Sequence, residues 1–172
     1  MRFLDSYQQQ SSNFTDISIP LSDFEHMELS AQNILITENK INFLTLPLMT
    51  STVAIWSGGG FNISFLKNAT WLFKKNIIYW GDIDEHGFQI LQQLRSYYPH
   101  VQSSLMDRET FDLFRVYAVD GTRNKSEYLH LLTDNKNKLF QYLKTLDTSN
   151  RLEQEKIPQV YVDVCLTKSL LI

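Results

Sequence analysis

Three short apolar runs, each of strand length, constrain the fold of this chain more than any other feature. They are residues 33–37 (NILIT), 52–56 (TVAIW) and 76–80 (NIIYW), and a weaker fourth run covers 101–106. The runs are apolar throughout instead of alternating, which is typical of parallel strands covered on both faces. Parallel strands are joined by right-handed crossovers. The sequence therefore predicts an α/β fold with a central, mostly parallel sheet of about four strands and helices on both faces.

Segments with helical character separate these runs. Residues 39–46 favour a short helix that a proline ends, and apolar side chains over 61–73 recur at roughly helical spacing. A longer helix with one apolar face covers about 88–98 and is closed by a second proline. These segments supply the crossovers that a parallel sheet requires.

The pattern divides the chain into three parts. Residues 1–30 are predicted to be a lead-in segment, 31–122 the core, and 123–172 a helical C-terminal extension packed on that core. In the extension, Thr133-Asp134 begins a helix that runs through Leu146, and 151–168 hold one or two further helices around a proline.

Composition narrows the cellular setting. A single cysteine, Cys165, cannot form an internal disulfide, which suits a reducing cytoplasm. The first residues lack the apolar core of a signal peptide, and no stretch approaches the ~20 apolar residues that span a bilayer. We therefore expect a cytoplasmic protein.

The net charge of -3 limits how the chain could hold nucleic acid by itself. Proteins that bind nucleic acid usually present a basic surface. Either the positive charge is concentrated on one face, or another domain or partner supplies the basic surface that binds nucleic acid. Five lysines could form a partial patch, although solvated helix faces explain them equally well: Lys67, Lys74, Lys75, Lys136 and Lys138.

Candidate functional residues follow the ends of the predicted strands. Glu38 follows the first strand, Asp82 and Asp84 follow the third, and Asp107 follows the fourth, while a glycine loop (Gly58, Gly59, Gly60) follows the second. Ligands of open parallel sheets bind beyond the carboxyl ends of the strands. We therefore expect these residues to open onto one edge.

The Asp82-x-Asp84 pair suits a hard cation. In an extended segment both side chains project to the same side, where two carboxylates repel each other unless a cation lies between them. Carboxylate oxygens favour Mg²⁺ or Mn²⁺. The alternative is that both residues cap the following helix, with Glu85 favouring its positive N-terminus. The predicted position of Glu38 at a neighbouring strand end favours the metal site.

Other residues near this edge have two interpretations each. The glycines could cradle a phosphate through backbone N–H groups, but a tight turn without a ligand explains them equally well. His86 and Lys40 adjoin the carboxylates and are kept as supporting candidates. The run of residues 151–156 (RLEQEK) has the composition of a solvated helix face.

Several stretches resemble a known family. Glu38 after one strand, glycines after the next and Gly81-Asp82-Ile83-Asp84 after the third resemble the Toprim domain of topoisomerases, primases and related nucleases. The stretches ITENKINFLTLP, YWGDIDEHGFQILQQLRSYYPHVQSSLMDRETF and RLEQEKIP, with a weaker RFLD, are similar to the C-terminal part of JetD proteins, the nuclease subunits of Wadjet plasmid-defence systems.

The resemblance implies a Toprim-type, Rossmann-like fold for residues 31–122, with Glu38, Asp82 and Asp84 as catalytic and metal-binding residues. It also suggests that Glu153 or Glu155 returns to the site. Asp107 remains a further acidic candidate from its position after the fourth strand. The implied cofactor is Mg²⁺ or Mn²⁺. The implied partners are double-stranded DNA, held through additional domains or partner subunits, an SMC-like ATPase complex and a second copy of the chain.

One function is favoured over two alternatives. The favoured one is metal-assisted hydrolysis of DNA phosphodiester bonds. A haloacid-dehalogenase-type phosphatase also uses Asp-x-Asp after a strand, but there the pair follows the first strand of the fold, whereas here two units precede it. The non-enzyme alternative is a binding or scaffolding module of a defence or DNA-processing complex, which the acidic net charge favours and the intact acidic set opposes.

Overall fold

The computed structural model describes residues 1–6, 14–58 and 62–169. Within these ranges a five-stranded sheet has the order β1-β3-β2-β4-β5, with β1 antiparallel to β3 and the other pairs parallel. The strands are β1 (Arg2–Phe3), β2 (Asn33–Thr37), β3 (Thr52–Trp56), β4 (Asn76–Trp80) and β5 (Gln102–Ser103).

The three central strands agree with the apolar runs, because their side chains are buried on both faces except at two strand ends, Trp56 and Asn76. The fourth strand is shorter than the predicted 101–106. Leu105 adopts a positive φ of 60°, which an extended ladder does not allow. The prediction of about four strands also missed β1. A two-residue strand leaves no periodicity in the sequence, and Arg2 and Phe3 extend only through pairing with Ala54 and Val53.

The crossovers cover both faces of the sheet. The connection from β2 to β3 steps toward one side and contains α2 (Lys40–Leu44), which begins at its N-cap Asn39. The connections from β3 to β4 and from β4 to β5 step toward the other side, and the latter contains α3 (Glu85–Tyr97). Right-handed crossovers of opposite direction place their helices on opposite faces.

The predicted helix over 61–73 was wrong. Its described part forms two 3-10 turns, Ser64–Leu66 and Thr70–Lys74. The buried Tyr98 hydroxyl, just after α3, contacts the Leu66 and Ala69 carbonyls, which also accept the 3-10 bonds from the Ala69 and Leu72 N–H groups. Residues 1–30 contain more structure than a lead-in, since α1 (Leu21–His26) packs against the second turn.

The C-terminal part is mainly helical. It follows α4 (Arg108–Leu113) and contains α5 (Asp134–Thr145), a 3-10 turn at Gln154–Lys156 and α6 (Gln159–Ser169). The predicted solvated helix over 151–156 was wrong in its first half, because residues 151 and 152 are extended and form β-bridges. None of the helices in the described ranges is both long and apolar enough to cross a membrane.

A buried carboxylate ties α5 to the core. The Glu85 side chain, at the start of α3, is fully buried and lies 3.2 Å from Arg123 Nη1 and 3.5 Å from Lys144 Nζ. The Asn124 backbone N–H also donates to it at 2.9 Å. A buried charge persists only when it is paired and hydrogen-bonded, so these contacts fix the chain after residue 122 against α3.

Candidate functional site

The carboxyl ends of β2 and β4 form the crevice where ligands of such sheets bind. The two strands are neighbours, and their following connections leave toward opposite faces, which opens a gap between them. Thr37 pairs with Trp80 in the sheet register, so Glu38 and Gly81 leave the sheet side by side. The topology therefore brings two of the sequence candidates, Glu38 and Asp82, to one place.

The Glu38 carboxylate lies directly over Gly81. A Cβ added at Gly81 would overlap Glu38 Oε1 and the Tyr79 hydroxyl, so only glycine leaves room for the two side chains. The Tyr79 hydroxyl donates a hydrogen bond to Glu38 Oε1. On the other side, the Trp56 indole N–H donates to the Glu38 carbonyl at 2.8 Å. Glu38 is thus held at both its backbone and its side chain.

The Tyr79 hydroxyl reports the electrostatic environment of the crevice. Burial raises the pKa of Tyr79 well above its usual range, and the charges of Glu38, Asp82 and Asp84 all act in the same direction. Tyr79 therefore stays protonated at neutral pH and remains a hydrogen-bond donor. All three predicted carboxylates lie close enough to influence this one hydroxyl.

The two aspartates differ in their surroundings. Asp84 is the N-cap of α3, where its Oδ1 accepts from the Gly87 N–H at 2.7 Å, as the helix-cap alternative expected. Asp82 is not a cap, and its Oδ1 accepts from the Gln154 backbone N–H at 2.9 Å. Burial raises the pKa of Asp84, the bond from Gly87 opposes this rise, and the charge of Asp82 adds to it.

Residues 151–154 return to the crevice and close it from one side. Leu152 forms an antiparallel bridge with Ile83, with N···O distances of 2.9 and 3.1 Å. Gln154 is fully buried, and its amide donates to Thr37 Oγ1 at 2.9 Å and to the Trp80 carbonyl at 2.8 Å. Gln154 Oε1 accepts from the Asn39 N–H at 3.1 Å. One side chain thus joins the carboxyl ends of β2 and β4.

Arg151 places a positive charge among the carboxylates. Its Nη2 and Nε lie 2.8 and 3.2 Å from Asp82 Oδ2. Its Nε also lies 3.5 Å from Asp84 Oδ2, and its Nη2 lies 3.3 Å from Glu153 Oε1. Partial burial is the largest single effect and works to lower the pKa of Arg151, but the hydrogen bond to Asp82 and the charges of the neighbouring carboxylates together outweigh it and raise that pKa. The guanidinium therefore bridges three carboxylates as a permanent cation.

A family model described as Wadjet protein JetD, C-terminal, matches residues 1–165. The chain belongs to this family. Membership indicates a subunit of the Wadjet defence system, which implies partner subunits. No curated protein matches the chain.

The match covers nearly the whole chain of this JetD family member, including the segments at both ends of the crevice. It spans Glu38, the Asp82 and Asp84 pair and the returning segment with Arg151. A role for these residues in catalysis stays a prediction.

The remaining acidic candidates occupy three different settings. Glu153 contacts Arg151 and so belongs to the crevice. Glu155 is exposed and accepts from Asn39 Nδ2 at 2.8 Å, which places it at the start of α2. Asp107 caps α4, where its Oδ1 accepts from the Thr110 N–H at 2.8 Å, and it lines a separate cavity of about 510 Å³.

The basic candidates are also dispersed. His86 follows Glu85 in the first turn of α3, where its charge acts against the rise of the Asp84 pKa. The Lys40 ammonium lies 5.3 Å from the centre of the Trp56 ring. Trp56 itself is 40% exposed, whereas Trp71 and Trp80 are buried.

The structure describes only part of the predicted phosphate turn and does not bring the predicted lysine patch together. Gly58 follows β3 with a φ of 83°, and Gly59 and Gly60 lie outside the described residues. Lys75 directly precedes β4, so it lies at the amino edge of the sheet, opposite the carboxylates, and it donates to the Leu29 carbonyl at 2.6 Å. The five lysines therefore do not form one patch beside the crevice.

Sequence reasoning missed Tyr79, Arg151 and Gln154. Tyr79 could have been found, because it pairs with Ile36, and residues two positions further on, Gly81 and Glu38, share its face of the sheet. Arg151 and Gln154 lie in the family-like stretch RLEQEKIP, but the resemblance pointed to Glu153 or Glu155 in that stretch and not to them. Their positions depend on a bridge between segments about 70 residues apart, which no local pattern encodes.

The donor chemistry of the crevice fits a hard divalent cation, although the side chains are not arranged around one. Within the described ranges, no three His, Cys, Asp or Glu side chains form a group poised to hold a metal ion. Glu38, Asp82 and Asp84 supply carboxylate oxygens, which Mg²⁺ and Mn²⁺ prefer. The cation between Asp82 and Asp84 is the Arg151 guanidinium.

Proposed function

We propose that this chain is a Toprim-type, metal-dependent nuclease unit that hydrolyses DNA phosphodiester bonds within a Wadjet defence system. One observation carries the proposal. Glu38, Asp82 and Asp84 leave neighbouring parallel strands into the same crevice, where all three influence the Tyr79 hydroxyl. Three carboxylates at a switch point of an α/β sheet have the chemistry of a cation-assisted phosphoryl-transfer site.

Asp82, Asp84 and Glu38 would hold the divalent cation. When bound, Mg²⁺ or Mn²⁺ would act as a Lewis acid on a phosphoryl oxygen and would favour deprotonation of the attacking water. The three carboxylates would neutralise the positive charge of the cation and fix its position at the strand ends. Asp84 is also the N-cap of α3, which fixes its Oδ1 on the Gly87 N–H.

Glu38 would act on the reacting water or as a further ligand. Its orientation is set by the Tyr79 hydroxyl, which remains a donor because its pKa is raised. The absence of a side chain at Gly81 leaves the space that this carboxylate occupies. Groups held in this way contribute to catalysis through positioning, since little reorganisation is needed when charge develops on the phosphate.

DNA binding would depend on other domains or partner subunits. The net charge of -3 and the dispersed lysines offer little attraction for a phosphate backbone. Wadjet membership implies partner subunits, and an SMC-like ATPase complex that presents double-stranded DNA in the cytoplasm fits this need. A homodimer would bring two crevices to one duplex.

A second candidate is a scaffolding module whose crevice never binds metal. The observation that favours it is the Arg151 guanidinium, which already neutralises part of the charge of Asp82 and Asp84. In that case the returning segment is a structural clasp only. The two candidates differ in whether divalent cations bind at all.

A nicking assay on supercoiled plasmid tests the proposal. We expect weak cleavage by the isolated chain with Mn²⁺ at low salt and high protein concentration, falling steeply as salt is added. Glu38→Ala and Asp82→Ala should abolish it, while the exposed Glu109→Gln serves as the matched control and should cleave like the wild type. Cleavage that survives both alanine substitutions would refute the assignment of the site.

A further inference from the structure

Arg151 is the residue of the crevice that the proposed chemistry does not yet use. Its guanidinium lies within 3.5 Å of carboxylate oxygens on Asp82, Asp84 and Glu153. A single positive charge faces three negative ones, so the neighbourhood keeps an excess of negative charge. The guanidinium lies between the two carboxylates that a divalent cation would bridge.

We propose that Arg151 is an internal counterion of the cluster, that a divalent cation displaces its guanidinium from Asp82, and that the displaced guanidinium then binds a phosphate of the DNA substrate. This inference rests on the proposed nuclease function. It adds a positioning residue and a substrate contact that the family membership does not assign.

Charge and geometry support the displacement. Asp82 Oδ2 accepts both contacts from Arg151, so a cation that uses this oxygen competes directly with the guanidinium. The remaining excess of negative charge favours a dication over a monocation. Arg151 also holds the site together without metal, because it relieves the repulsion between Asp82 and Asp84, which lie only two residues apart.

The surrounding backbone allows the side chain to move alone. Arg151 forms a bridge with Val119 through N···O distances of 2.8 and 3.0 Å, and the following Leu152 is bridged to Ile83. These bonds involve backbone atoms only, so they persist when the guanidinium leaves. The Arg151 side chain is 35% exposed, which leaves it a route to a bound substrate.

The chemistry of the displaced group matches a phosphate. A guanidinium presents its N–H donors in a planar fork that suits carboxylate and phosphate oxygens alike. Exchange of one for the other therefore costs little in geometry. The same residue would neutralise the cluster before metal binds and contact the substrate afterwards.

Calorimetric titration with Mn²⁺ tests this exchange in the wild type, Arg151→Ala and Arg151→Lys. Arg108→Ala is the matched control, because Arg108 pairs with the exposed Asp112. We expect Arg151→Ala to bind Mn²⁺ at least about tenfold more tightly than the wild type, since a competing positive charge has been removed. We also expect its plasmid KM to rise at saturating Mn²⁺. Arg151→Lys should lie between the two, and the control should match the wild type.

The outcomes separate this inference from the proposed function. If the wild type binds Mn²⁺ and Arg151→Ala binds it equally or more weakly, Arg151 is a structural clasp and the inference is overturned while the nuclease proposal stands. If neither protein binds Mn²⁺, the proposed function fails and the inference fails with it. Far-ultraviolet circular dichroism checks folding, and Arg151→Gln, which retains donors for Asp82, replaces the alanine variant if that variant unfolds.

Discussion

Replacing Gln154 with leucine tests whether the returning segment holds the crevice together. Gln154 is fully buried, and its amide joins Thr37 and the Trp80 carbonyl while its oxygen accepts from the Asn39 N–H. Leucine has a similar volume but makes none of these bonds. The substitution therefore removes three hydrogen bonds across the ends of β2 and β4 without opening a large cavity.

The expected loss is large for a single substitution. Each buried polar group left without a partner costs about 1–3 kcal/mol, so the loss of three bonds should lower the free energy of unfolding of Gln154→Leu by roughly 3–9 kcal/mol. A domain is typically stable by about 5–15 kcal/mol, so this is a substantial fraction. For a chain of this length the melting temperature should fall by roughly 10 °C or more.

Urea denaturation followed by far-ultraviolet circular dichroism measures the change. The matched control is Gln159→Leu, which removes exposed bonds to the Thr45 carbonyl and to Asp163 and should alter stability by only about 0.5 kcal/mol. A Gln154→Leu variant within about 1 kcal/mol of the wild type would refute the argument. It would mean that residues 151–154 are not fastened to the strand ends in solution.

Two further predictions concern Gly81 and Lys136. Gly81→Ala should keep the far-ultraviolet spectrum but lose Mn²⁺-dependent nicking, because the added Cβ displaces the Glu38 carboxylate and the Tyr79 hydroxyl. Retained cleavage would show that Glu38 is not held as described. Burial lowers the pKa of Lys136 from 10.5 to about 8, so between these values the unfolded chain binds more protons and wild-type stability rises with pH. In urea unfolding from pH 7 to pH 10, the wild type should therefore gain stability relative to Lys136→Met, and a constant difference would contradict the shift.

The central strands could be predicted because burial on both faces leaves a continuous apolar run. The same logic failed where tertiary contacts decide the backbone. β1 exists through pairing with β3, and the two turns within 64–74 are held against the end of α3, where the Tyr98 hydroxyl contacts two of their carbonyls. Neither outcome is encoded within the segment itself.

The candidate site could be predicted in part for a related reason. The carboxyl ends of neighbouring parallel strands meet at one edge, so Glu38 and Asp82 were found from their positions after two apolar runs. The helix-cap interpretation of Asp84 is confirmed, and its role as a metal ligand stays a prediction. Arg151 could not be found, because its place in the cluster depends on a bridge between Leu152 and Ile83 that only the folded chain reveals.

The central claim is that Glu38, Asp82 and Asp84 form a divalent-cation site. Its most direct test is a crystal structure of the chain grown or soaked with Mn²⁺, with data collected for the anomalous signal of manganese. We predict an anomalous peak between Asp82 and Asp84, within coordination distance of Glu38 or a water bound to it, and an Arg151 guanidinium that has left Asp82. A map without a peak in the crevice at saturating Mn²⁺, with Arg151 still bound to Asp82, would contradict the claim.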